Sequence, residues 1–285
     1  MIPKRSTRKG MSIMELLVGV VILAVIGMSL TRIMVAQARY FDHQKTSNRA
    51  RNVSRGPLNR VVSDIRMVEA QGGISIASPT LIRARVPFAI GVVCVTGSSG
   101  THLSLLPSDS AMYAAPGYSG YAWRDGQGIY HYRVGGNVKE DNNGDLNACT
   151  ASGVGTLTAS KGKVIRITPK MSDTASIGTP VFLIRRVEYE FKASTAVPGT
   201  TGLYRRVIDD NGSEEELSAP YSSDAKFRFF VGNSLTAQDN PPADLSTLRG
   251  IELNMTGLSE KIPRQGLERQ KAPFVTAVFF KNRLN

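Results

Sequence analysis

Apolar residues follow three successive patterns along the chain, and the first is a nearly unbroken run from Ile13 to Leu30 with one acid, Glu15. As a helix, residues 11–30 would be about 30 Å long, which matches the hydrocarbon core of one bilayer. A carboxylate in hydrocarbon costs about 2.5–3.5 kcal/mol on insertion scales. The run therefore predicts a membrane-spanning helix that carries one unexplained charge.

In the second pattern, polar residues alternate with an apolar stripe at near-helical spacing up to residue 68. Asp64 and Arg66 are expected to face away from this stripe. Pro57 removes one backbone hydrogen bond and predicts a kink, and the pair Gly72-Gly73 predicts the end of the helix. We expect one long helix over roughly residues 12–70, whose second half packs on a globular head. The stripe consists of Val53, Leu58, Val61, Val62, Ile65 and Val68.

The third pattern, beyond residue 72, is a series of short β-branched or aromatic segments bounded by Gly, Pro, Asn and Ser. No helical pattern of comparable length follows. The expected fold class is therefore α+β, with a β-rich head packed on the amphipathic half of one long helix. The predicted strands are residues 80–86, 89–95, 128–134, 163–168, 180–193, 202–208, 226–231, 248–255 and 273–281.

Composition and charge agree with a folded chain, since 41% of the residues are apolar and 20% are charged. The formal net charge is +12, and Lys4, Arg5, Arg8 and Lys9 all precede Gly10. Such an excess of positive charge indicates either binding to an anionic partner or a basic face exposed to solvent. The basic residues ahead of the apolar run are expected to stay on the cytoplasmic side, so the rest of the chain faces outward.

Two ordinary interpretations of the N-terminus remain open at this point. One is a secretory signal peptide with a cleavage site at Ala36-Gln37-Ala38, and the other is a plain signal anchor on an unrelated domain. Arg32 separates the apolar run from that cleavage site. Neither interpretation explains Glu15.

The segment "KG-MSIME-LLVGVVILAVIGMSL" resembles the class III leader of type IV prepilins and pseudopilins. Members of that family are cut after a glycine by a prepilin peptidase, which methylates the new N-terminus, and their fifth mature residue is glutamate. The resemblance implies a cleaved leader over residues 1–10, cleavage after Gly10 and N-methylation at Met11. The sequence departs from the family at Met11, where phenylalanine is commoner.

The resemblance also gives Glu15 a role. Pilin helices pack in parallel in a filament core without lipid or water, where a buried carboxylate requires a cationic partner. In the family that partner is the N-terminal amine of a neighbouring subunit, so Glu15 would set the axial register of the subunits. Residues 11–31 would form the membrane-spanning and filament-core helix, residues 32–72 its amphipathic continuation, and residues 73–285 the pilin head.

A looser resemblance covers about the last hundred residues. The segments "VEYEFKAS", "GLYRRVIDD", "LRGIELNMTGLSEK" and "VTAVFFKNR" follow the order seen in PilW-type minor pilins and in J-type minor pseudopilins of type II secretion. Residues 73–180 match no family pattern.

One loop raises the question of a cofactor. Side-chain oxygens at alternate positions suit Ca²⁺, which takes six to eight oxygen ligands. However, Leu146 stands where an EF-hand has glycine, and Ser152 stands where it has glutamate. The alternative is a polar hairpin turn at Asn-Gly, and no other cofactor is expected. The four candidate calcium ligands are Asp141, Asn143, Asp145 and Asn147.

Enzymatic and nucleic-acid functions are not favoured by the sequence. It contains no nucleophile elbow or P-loop, and its three histidines lack metal-ligand spacing. Four arginines crowd one part of the helix, but no aromatic residues interleave with them as in single-strand binding surfaces. These arginines are Arg49, Arg51, Arg55 and Arg60.

These observations predict a structural minor pilin or pseudopilin that joins, primes or caps a type IV pilus or a type II secretion pseudopilus. The alternative is an adhesive or DNA-binding module at the pilus tip. The expected partners are other pilins or pseudopilins, bound through the N-terminal helix. The expected location is the inner membrane, with the head in the periplasm or outside, and then the filament at the cell surface. Outside the cytoplasm the head would meet an oxidising compartment, where Cys94 and Cys149 would form a disulfide bond.

Overall fold

The computed structural model describes residues 10, 12–69, 71–113, 117–140, 149–154, 163–172, 175–210, 213–262 and 268–280. These residues form a long N-terminal helical segment and an antiparallel sheet, which confirms the α+β class. The helices are α1 (Ile13–Arg55), α2 (Leu58–Arg66) and the short α3 (Pro107–Tyr113), and a 3₁₀ turn spans Leu245–Thr247. The strands are β1 (Ile74–Ala77), β2 (Leu81–Gly97), β3 (Gly100–Leu105), β4 (Gly120–Arg124), β5 (Tyr130–Val134), β6 (Asn137–Glu140), β7 (Val164–Thr168), β8 (Pro180–Ala193), β9 (Thr201–Val207), β10 (Glu214–Tyr221), β11 (Lys226–Val231), β12 (Leu248–Leu258) and β13 (Lys271–Phe279).

The helical segment is interrupted at Gly56-Pro57, as the proline predicts, and α2 follows at once. Its end differs from the prediction, because α2 stops at Arg66 rather than near residue 70. The glycine pair forms the turn into β1 instead of capping the helix. Gly72 has a φ of +80°, a conformation that glycine adopts without strain. Gly73 lies so close to the backbone of Glu69 that a side chain would overlap it.

The sheet is organised around its two longest strands. β2 and β8 pair in antiparallel register from Leu81 opposite Glu190 to Val92 opposite Pro180. One side of β2 carries β1 and β3, and β7 and β6 follow β3. The far side of β8 carries β4 with β5 at one end, and β9 followed by β10 at the other. β12 lies between β11 and the last strand, β13.

Some strands depart from the sequence prediction for a physical reason. Two strands were expected on either side of Pro87, but β2 runs through this residue with a shift of register between Pro87 and Ala89. Such a bulge accommodates a proline, which cannot donate a backbone hydrogen bond. The strands β1, β3, β4, β6 and β10 were not predicted, because they are short or, as in β10, begin with polar residues.

Two hydrophobic cores lie along this sheet. The larger core joins Val61 and Ile65 of α2, with no exposed surface, to side chains such as Tyr189, Phe227 and Leu253. Burying a side chain of this size contributes about 1.5–3 kcal/mol. The second core lies at the other end of β2 and β8 and includes residues of β3, β4 and β7. The helical segment therefore packs on one end of the sheet.

Candidate assembly helix and its junction with the head

The helix α1 begins with a capping box. The Ser12 backbone N–H donates to the Glu15 Oε2 at 3.0 Å, and the Met14 N–H donates to the Ser12 Oγ at 3.3 Å. A helix start leaves four backbone N–H groups without helical partners, and this arrangement satisfies two such donors. Glu15 is therefore the acceptor of a local hydrogen bond in the single chain.

This capping role was missed at the sequence level, although the signal was present. Ser12 and Glu15 have the S-x-x-E spacing that is typical of a capping box ahead of an apolar run. Gly10 is exposed, and among the described residues no atom beyond its chain neighbours lies within 4 Å of the position that a side chain would take there. Met11, with the rest of the leader in residues 1–9, lies outside the described residues.

The first half of α1 exposes its apolar side chains on all sides. An 18-residue window in this segment has a mean hydropathy of 2.6, and none of it is buried. Leu23, for example, is 69% exposed. The polar groups in this half are satisfied within the helix, since the Ser29 Oγ donates to the Val25 carbonyl at 2.9 Å and the Thr31 Oγ1 donates to the Gly27 carbonyl at 2.8 Å. Such a helix is long and apolar enough to cross a membrane.

The second half of α1 contacts the head through small side chains. Thr46, Ala50 and Ser54, spaced four residues apart, are the buried residues of α1. Ala50 and Ser54 face β12, where Gly257 allows a close approach. A Cβ at Gly257 would overlap the Ala50 carbonyl oxygen and lie 2.9 Å from the Ser54 Oγ. The helix and the sheet are thus in backbone contact at this position.

The break at Pro57 is stabilised by hydroxyl groups of the head. Pro57 has no N–H, so the Val53 carbonyl, four residues earlier, lacks its helical donor. The Ser218 Oγ donates to this carbonyl at 2.8 Å and the Tyr221 Oη donates at 3.0 Å. Burial raises the pKa of Tyr221 to about 12, so its hydroxyl keeps the proton that it donates. The interruption of the helix is therefore part of its attachment to β10.

A second polar contact attaches α2. The Asp64 Oδ2 accepts a hydrogen bond of 2.7 Å from the Tyr189 Oη and lies 3.2 Å from the Arg205 Nη2. The Nε of Arg60, on the same helix, lies 3.8 Å from the Asp64 Oδ2. Asp64 was expected to face away from the apolar stripe, and its carboxylate bonds to β8 and β9 of the head. Burial, and then the Asp64 carboxylate, raise the pKa of Tyr189.

The two cysteines lie together, as the predicted bridge requires. The Cα atoms of Cys94 and Cys149 are 4.9 Å apart, within the range of a disulfide bond, and 55 residues separate the two in sequence. Both are fully buried and contact Val164. The pair fastens residue 149 to β2.

The predicted calcium ligands cannot be placed. Asp141, Asn143, Asp145 and Asn147 all lie outside the described residues. Within the part of the chain that the structure describes, no group of three or more His, Cys, Asp or Glu residues is arranged to hold a metal ion.

The histidines occupy unrelated positions. His43 is exposed on α1, and His102 is buried in β3. The His131 Nε2 lies 2.7 Å from the Asp125 Oδ2, and its ring stacks on Trp123 with centroids 5.0 Å apart. This hydrogen bond is the main cause that lowers the pKa of Asp125. The contact fixes the turn between β4 and β5.

The four predicted arginines of the helical segment are exposed. Arg60 is near Asp64, whereas Arg49, Arg51 and Arg55 have no carboxylate within 4.0 Å among the described residues.

In the comparisons with known proteins, no family model, no curated protein and no solved structure matches this chain.

Proposed function

We propose that the chain is a minor pilin or pseudopilin, processed after Gly10 and assembled into a filament through the exposed half of α1. The observation that carries the proposal is the single acid of the apolar run, Glu15, placed five residues after that glycine. An apolar helix that emerges from a folded head, and that no described residue of the head covers, requires lipid or other helices around it. A filament subunit has lipid around this helix before assembly and other helices around it afterwards.

The structure of the junction supports this proposal. α1 continues from the apolar run to its buried contacts at Thr46, Ala50 and Ser54 without a break. The hydrogen bonds at Val53 and Asp64 then hold the helical segment on the sheet. A load applied to the helix in a filament is therefore transmitted to the head through backbone, carbonyl and carboxylate contacts.

A photo-cross-linking experiment tests this function. A photoreactive residue replaces Leu23, which is 69% exposed on the helix, or Leu235, which is 88% exposed on the head. Sheared filaments should contain adducts between the position 23 probe and the N-terminal helices of other pilins or pseudopilins. The position 235 probe controls for random labelling. A chain that stays in the membrane fraction and gives no helix-to-helix adduct from position 23 contradicts the proposal.

Deletion of the gene separates this function from a module that acts only at the tip. Loss of filaments supports priming or structural assembly. Normal filaments that no longer attach to a surface or take up DNA would instead support an adhesive or DNA-binding tip protein.

A further inference from the structure

The part of α1 between the apolar run and the head carries two arginines on one face. Arg32 and Arg39 are seven residues apart, so they lie about 10 Å apart along the axis and on nearly the same side. Both border one groove on the helix, together with Val35 and Ala36. Neither has a carboxylate within 4.0 Å among the described residues. The segment thus exposes two cations that have no carboxylate partner among the described residues.

This face is the one that the head occupies further along the helix. Thr46, the first buried residue of α1, follows Arg39 by another seven residues. The arginines therefore point into the space beneath the head, on the side nearest the apolar half. Tyr40 and Phe41, which are 60% and 65% exposed, continue this segment.

The geometry of the helix directs both arginines toward the bilayer. If the hydrocarbon ends near Leu30, Arg32 lies about 3 Å and Arg39 about 14 Å above it. In an α-helix the Cα–Cβ bonds tilt toward the N-terminus, which here is the membrane end. Long basic side chains also extend to the interface. The Arg32 guanidinium therefore lies in the headgroup layer, which is about 5–7 Å thick, and the Arg39 guanidinium reaches its outer edge when the side chain is fully extended toward the membrane.

We propose that Arg32 and Arg39 bind the phosphate groups of anionic lipids in the leaflet that faces the head. This inference rests on the proposed function in one respect, namely that α1 spans the membrane before assembly. A guanidinium group matches phosphate by two parallel hydrogen bonds. Each cation near an anionic surface contributes about a fivefold preference, and two contribute about thirty-fold. Anionic lipid would thus hold the subunit in the membrane until assembly extracts it.

The test uses the full chain in nanodiscs with equal amounts of phosphatidylcholine and phosphatidylglycerol. After extraction in mild detergent, mass spectrometry counts the lipids that stay bound. The wild-type chain should retain phosphatidylglycerol in excess, by about fivefold at each arginine. The double variant Arg32→Gln, Arg39→Gln should approach an equal ratio, whereas Lys at both positions should preserve most of the excess.

The matched control is Arg49→Gln with Arg51→Gln, because these arginines lie about 28 Å or more above Leu30. This control should keep the excess of phosphatidylglycerol. The basic residues of any uncleaved leader contribute equally to all variants. The proposal is overturned if the first double variant keeps the full excess, or if the control loses it. The outcome does not depend on filament formation, and flotation with neutral vesicles checks that every variant inserts.

Discussion

Replacement of Glu15 separates the capping role that the structure shows for this carboxylate from the register role that we propose for it. In the single chain its Oε2 accepts the Ser12 N–H at 3.0 Å, so it caps the helix. In the proposed filament the same carboxylate pairs with the N-terminal amine of a neighbouring subunit. Glu15→Ala removes both interactions. Glu15→Gln keeps the cap, since glutamine also serves in a capping box, and removes only the charge.

The two interactions differ in the free energy that is lost when each is removed. Loss of an N-terminal cap costs about 0.5–2 kcal/mol. Removal of one partner from a buried ion pair costs about 3–5 kcal/mol, which is a factor of about a hundred to several thousand in assembly. Ser12→Ala weakens the cap and leaves the charge, so it is the third variant of the series. Both Glu15 variants should assemble poorly, and Ser12→Ala should assemble nearly as well as wild type.

The assay counts each variant in membrane and sheared-filament fractions and cross-links it to other pilins. All three variants should remain processed and membrane-resident, because Gly10 is intact and the head lies tens of ångströms away along the helix. If Glu15→Gln enters filaments as wild type while Glu15→Ala does not, the carboxylate acts as a cap and the charge has no role. If Glu15→Ala also assembles normally, neither role is needed.

Three further predictions concern the head. Gly257→Ala should lower the free energy of unfolding by about 1–3 kcal/mol, because the new methyl group overlaps the helix backbone. Ser218→Ala and Tyr221→Phe should each lower the free energy of unfolding only slightly, because the other hydroxyl still donates to the Val53 carbonyl. The double variant should lower it by about 1–3 kcal/mol, which is more than the sum of the two single losses, as measured by denaturant unfolding. Thiol titration of the denatured, unreduced chain should find no free thiol, and reduction should lower stability by about 2–4 kcal/mol.

Each of these predictions has its own control. Gly126→Ala, where no atom lies within 4 Å of the added Cβ, should leave stability unchanged. Equal losses for the two glycine variants would contradict the close contact of helix and sheet. Additive effects of the two hydroxyl variants would show that they do not share one acceptor. Two titratable thiols would refute the bridge.

The sequence predicted the helical segment well because its signals are local. The apolar run, the stripe from Val53 to Val68 and the break at Pro57 all depend on residues near in the chain. β8 and β11 were predicted with their observed bounds, since dense β-branched and aromatic residues fill both strands.

Features that depend on distant partners could not be predicted in this way. Asp64 was expected only to face away from the apolar stripe, and its partners on the sheet, Tyr189 and Arg205, lie more than a hundred residues away in sequence. The acceptor role of the Val53 carbonyl likewise requires hydroxyl groups from β10. β10 itself begins with three glutamates, a local pattern that predicts a polar turn. In the structure, Arg206 and Arg205 of β9 lie opposite the first two of them. Long-range pairing overrides local pattern at these positions.

The N-terminus of the cellular protein is the measurement that tests the central proposal most directly. Mass spectrometry of the chain from the membrane and filament fractions should find Met11 as the first residue, with an added methyl group. Gly10→Val should leave the longer precursor in the membrane. Among the described residues no atom beyond the chain neighbours of Gly10 lies within 4 Å of the added Cβ, so this effect would reflect processing rather than folding. A mature N-terminus at Arg39, after Ala36-Gln37-Ala38, would contradict the pilin interpretation and establish a secretory signal peptide.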